Sequence, residues 1–105
     1  MLCNGQTLNF YFLTFICLIL NLQGCKGEFN QNVDNLPPEI QQLIFGPSFN
    51  QPVDNLPASI ENITFGVEFN QPVDNLPPNL KNITFDHEFN KPLYKLSPLV
   101  KISKR

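Results

Sequence analysis

A chain of 105 residues supports one small domain, and a net charge of −2 argues against general electrostatic attraction to nucleic acid. Cys3, Cys17 and Cys25 all lie near the N-terminus and His87 is the one histidine, so neither a zinc site, which needs about four such ligands, nor a disulfide scaffold is supplied. Charge is segregated: residues 1–25 carry none, all nine acids fall between Glu28 and Glu88, and Lys91, Lys95, Lys101, Lys104 and Arg105 close the chain.

The chain opens on an apolar segment, residues 1–27. Within it "LNFYFLTFICLIL", residues 8–20, is interrupted only by Asn9 and Thr14. Thirteen residues are short for a membrane span, which needs about 20, and suit the apolar region of a secretory signal. No Lys or Arg precedes the run and no clean small-x-small cleavage site follows it; "LQGC" at residues 22–25 is a poor lipoprotein box. A signal or anchor that would contact a membrane through residues 8–22 and a cap packed on the first repeat stand as equal alternatives. A secretory or membrane location and an intracellular one stand open with them.

From Glu28 the sequence repeats every 20 residues. The units are 28–47, 48–67 and 68–87, followed by a degenerate copy and basic tail, 88–105. The second and third share 13 of 20 residues with no insertion, so the period is fixed and marks stacked repeat units, each unable to bury its apolar face alone. Phe49, Val53, Leu56, Ile60, Ile63 and Phe65 are the apolar positions of one unit. Their spacing follows neither a helical nor a strand period throughout, so the unit is composite. "ENITF" (61–65) alternates polar and apolar residues and predicts a short strand, as do "QQLIF" (41–45) and "KNITF" (81–85). "NLP" followed by "PEI" or "ASI" predicts an irregular arc, because proline ends a helix and cannot pair in a central strand. "FGPS" (45–48) predicts the turn that leaves the strand. The fold class is therefore a repeat solenoid, with a short parallel β-sheet and irregular outer arcs. In the fourth copy Lys95 and Ser103 replace neutral or apolar residues of the period, which suits a second cap or the worn end of an array.

Phe-Asn-Gln-Pro, then Val-Asp-Asn-Leu-Pro, then Ile-x-x-Ile-Thr-Phe resembles the FNIP repeat family over residues 28 to about 98. That family is similar to leucine-rich repeats, so the resemblance implies a leucine-rich-repeat-like solenoid that binds proteins. Family members joined to an F-box would recruit substrates for ubiquitination; residues 1–27 are too short and too apolar to be one. Asn50 and Asn70 fall later than the standard leucine-rich-repeat asparagine, so the usual asparagine ladder does not follow from the pattern. Their expected role is to satisfy backbone groups inside a turn.

The inventory leaves no enzyme: no nucleophile motif accompanies His87, there is no Gly-rich phosphate loop, and no cofactor or metal is expected. Asp34, Asp54 and Asp74 recur at the period and could stack as a carboxylate column, but "VDNLP" predicts that each caps its own turn. Asn62 and Asn82 begin Asn-x-Thr sequons, glycosylated only in a secretory chain. At about 4.8 Å between neighbouring strands two glycans would crowd, so pairing of the two side chains is expected, with one glycan at most. With Ile60, Ile63 and Phe65 inward, the outward residues Gln42, Ile44, Asn62, Thr64, Asn82, Thr84 and Asp86 form the candidate binding face for an unidentified protein partner. A secreted or anchored repeat protein is the first alternative, and a remnant of repeat expansion without activity of its own the second.

Overall fold

A computed structural model describes residues 29–105 and the short segment Ile19–Asn21. The five strands are β1 (Ile19–Asn21), β2 (Gln42–Ile44), β3 (Asn62–Thr64), β4 (Asn82–Phe85) and β5 (Lys101–Lys104). They form one parallel sheet in the order β1-β2-β3-β4-β5, so consecutive repeats lie side by side. The strands are shorter than the five-residue alternation predicts, although Phe45 and Phe65 still donate their N–H groups across the sheet to Thr64 and Thr84 at 2.9 Å. Apart from β1, the apolar N-terminal segment lies outside the described residues. Among the described residues no helix is long and apolar enough to cross a membrane.

Each repeat folds around fixed turns. Asp-Asn pairs occupy the turn at 34–35, 54–55 and 74–75, as their capacity for local hydrogen bonding favours. The Pro37, Pro57 and Pro77 carbonyls then accept the N–H groups of Ile40, Ile60 and Leu80 at 3.4, 3.2 and 3.3 Å. Proline sets the backbone for such a turn and cannot continue a ladder. The chain thus turns before each strand instead of pairing.

The core lies behind the strands. All six apolar positions of the first repeat are buried, and in the second and third only Leu56 and Leu76 are partly exposed, both packed against the core. Two columns of phenylalanine rings run through it. Phe29, Phe49, Phe69 and Phe89 stack with centroids 5.8–6.0 Å apart, and Phe45, Phe65 and Phe85 with 5.5 and 5.7 Å. Between columns the rings approach to 3.7, 3.8 and 4.1 Å. Every pair is within 13° of parallel, so one continuous stack crosses all four repeats. Glycine is required where repeats approach most closely after the strand. A Cβ at Gly66 would meet the Gly46 carbonyl oxygen and lie 2.7 Å from Pro47 Cα.

The fourth repeat departs from the period. The Gln41 carbonyl accepts both Glu61 and Asn62 N–H (2.8 and 3.1 Å), and Glu61 serves Lys81 and Asn82 in the same way (2.8 and 3.1 Å). Lys101 then donates to Lys81 at 2.8 Å, and the strand register becomes Asn82↔Lys101 and Ile83↔Ile102. One residue is missing between Val100 and Ile102. Counting by 20 puts Ser103 at the inward position of Ile83, and the structure corrects this: Ile102 takes that position and Ser103 pairs with Thr84. Ile102 is 41% exposed.

Candidate functional site

The alternation of burial in β2 and β3 turns Leu43 and Ile63 into the core and leaves their neighbours outward. The strand face carries two columns. Gln42, Asn62 and Asn82 are register partners in the first, and Ile44, Thr64 and Thr84 in the second. The register of β5 adds Lys101 to the first column and Ser103 to the second. Ile19 and Asn21 of β1 hold the corresponding register positions beside β2. A 20-residue count misses Lys101 and Ser103, because it assigns Ile102 and Lys104 to their places.

Asn82 Nδ2 donates to Asn62 Oδ1 at 2.7 Å, which is the cross-strand pairing expected of the two sequon asparagines. Asp86 lies just past the end of β4, where the first two repeats have Gly46 and Gly66. Its carboxylate accepts the Glu88 N–H at 3.1 Å and lies 3.5 Å from His87 Nδ1, so it is held in the turn and not in the columns. Beside the first column Lys81 faces Glu61 at 3.5 Å, with side chains 66% and 36% exposed. A pair this wet contributes little.

The remaining recurrent polar residues join repeat to repeat. Asn30 Oδ1 accepts the Asn50 N–H at 2.8 Å and Asn50 Oδ1 accepts the Asn70 N–H at 2.9 Å. An asparagine ladder therefore exists despite its late position. Gln51 and Gln71 strengthen it by donating Nε2 to the same oxygens at 3.2 and 3.1 Å. The aspartates form a second ladder: Asn55 donates to Asp34 at 3.4 Å and Asn75 to Asp54 at 3.3 Å. Asp34 and Asp54 thus bond the next repeat as well as standing in turns, and Asp34 also accepts Asn32 Nδ2 at 3.1 Å while its N–H donates to Asn32 Oδ1 at 2.8 Å within its own repeat; a residue 21 positions away is not a local sequence pattern. A third link runs from Ser59 Oγ to the Ile40 carbonyl and from Asn79 Nδ2 to that of Ala58 (3.0 Å). Among the described residues no group of three or more His, Cys, Asp or Glu converges as a metal site would require.

What fold and face define is a repeat protein with one strand per repeat and a polar outward stripe. A family model, FNIP Repeat, matches residues 29–66 and 69–97. The chain belongs to the FNIP repeat family. Comparison with curated proteins finds no match.

Proposed function

We propose that this chain is a non-enzymatic protein–protein interaction module, a leucine-rich-repeat-like solenoid that presents its strand face to a protein partner. The observation that carries the reading is how the repeat divides its residues. Phenylalanines fill the core, and the asparagines and aspartates of the arcs bond the neighbouring repeat. Apart from the Asn62–Asn82 bond, the two strand columns do neither of these, yet they are aligned row by row. Their carboxamides and hydroxyls, about 4.8 Å apart along the sheet, can donate to and accept from an extended polar partner. Inner faces of solenoids serve other repeat proteins as binding surfaces, and that analogy supports the choice of face.

The pairing of β1 with β2 supports the cap reading of the N-terminal segment. Should the chain enter the secretory pathway, the short Asn62–Asn82 bond limits it to one glycan.

Proximity labelling in cells tests the reading, with the native chain compared against Thr64→Arg/Thr84→Arg and an arc variant, Asn35→Arg. Partners lost in the face variant and kept in the arc variant support it. Partners kept in both refute the strand face as the binding surface.

A further inference from the structure

The fourth repeat carries different chemistry at places where the other three are acidic or neutral and polar. Tyr94 stands where they have aspartate, and Leu99 where they have Glu39, Ser59 and Asn79. Lys91 and Lys95 stand where they have glutamine and asparagine. From Phe89 onward there is no acid and there are five cations. Lys104 Nζ donates to the Phe89 carbonyl of this repeat at 3.0 Å, whereas Arg105 reaches back to the Phe65 carbonyl of the second repeat at 3.4 Å.

Tyr94 and Leu99 are 78% and 90% exposed. They are not displaced core residues, since Leu93, Leu96 and Val100 occupy the apolar positions of this repeat and pack against the core. Nor does their exposure come from their place in the array. Each belongs to a turn, at 94–95 and 98–99, whose counterparts at 74–75 and 78–79 are exposed in the third repeat as well.

We infer that the fourth repeat is a docking surface for an anionic lipid bilayer: Tyr94 and Leu99 enter the interface while Lys91 and Lys95 meet the headgroups. The occupant follows from the combination. An exposed leucine such as Leu99 gains nothing from a phosphodiester backbone. A bilayer interface accepts an aromatic ring with a polar tip and an aliphatic side chain, and its negative surface attracts clustered cations. This surface is separate from the strand face and its use does not depend on that reading.

Cosedimentation of the full chain with vesicles tests the inference, using phosphatidylcholine alone and phosphatidylcholine mixed with phosphatidylserine. Retention on the mixed vesicles alone, weakened by salt, is expected. Each cation near such a surface contributes about fivefold to partition, so Lys91→Gln/Lys95→Gln lowers retention about 25-fold. Leu99→Ser lowers it about tenfold. Lys95 and Leu99 are exposed and Lys91 is half-buried, and an unchanged urea midpoint verifies that the variants fold. Failure to bind the mixed vesicles overturns the inference. So does equal retention on both vesicle types, which assigns binding to the apolar N-terminal segment. Equally tight binding to heparin that is indifferent to Leu99→Ser also overturns it, by making the patch a general polyanion site.

Discussion

Phe65 tests whether the ring stack is more than buried area. It is fully buried and stacks on Phe69 at 3.8 Å, Phe45 at 5.5 Å and Phe85 at 5.7 Å. Aromatic pairs contribute roughly 0.5–1.5 kcal/mol each beyond their area. Phe65→Leu, which keeps an apolar side chain of similar reach, is thus expected to cost roughly 1.5–4.5 kcal/mol. Domains of this kind hold about 5–15 kcal/mol in total, so the lower half of that range leaves a measurable folded state. A double-mutant cycle separates stacking from burial. Phe65→Leu and Phe69→Leu, alone and together in the full chain, are unfolded in urea and followed by far-UV circular dichroism. The 3.8 Å pair should show a coupling of about 0.5–1.5 kcal/mol. Phe49 and Phe85 stack neither on each other nor on a common ring, and their substitutions should add to within about 0.5 kcal/mol. Additivity in the Phe65–Phe69 cycle would refute the reasoning and reduce the column to ordinary hydrophobic packing.

Three further outcomes follow from the contacts between repeats. Asn50→Ala removes the acceptor for the Asn70 N–H and for Gln71 and should cost about 1–2 kcal/mol, whereas Asn50→Asp keeps an oxygen there and should cost under about 0.5 kcal/mol; equal losses in urea unfolding would contradict the ladder. Gly66→Ala places a methyl against the Gly46–Pro47 backbone and should lower stability by roughly 1–3 kcal/mol, seen as an earlier thermal midpoint; an unchanged midpoint would mean that the repeats can separate without cost. Ile102→Ser should destabilise by about 1 kcal/mol while Ser103→Ala changes little, the reverse of what a strict 20-residue count requires; the pair can be ranked by urea midpoint.

Much of this architecture was legible because it is written several times. A position that is apolar in every copy identifies the core without reference to propensity, and the Asn-Ile-Thr alternation places the strands to within a residue or two. Gln42, Asn62 and Asn82, with Ile44, Thr64 and Thr84, emerged as one face by the same means. Repetition misleads where the copies stop agreeing. Lys101 and Ser103 were hidden because a one-residue deletion leaves no trace in letters that no longer repeat. The asparagine and aspartate ladders escaped for another reason: their partners lie 20 and 21 residues away, so the geometry of stacking selects them. Ile19–Asn21 has no copy to be compared with, and its pairing with β2 is a tertiary fact.

In the three side-chain ladders the donor always belongs to the later repeat and the acceptor to the earlier one. The stack therefore has a polarity, like a polymer whose every unit carries a head and a matching tail. A tandem duplication of 20 residues within the first three repeats inserts a unit that already fits both neighbours, so growth needs no new interface to be invented. Tyr94 ends that compatibility on the aspartate ladder, since a copy placed after it would bring an asparagine and find no carboxylate to receive it. Lengthening by recombination should consequently occur upstream of the fourth repeat, in whole units, leaving the last one unique.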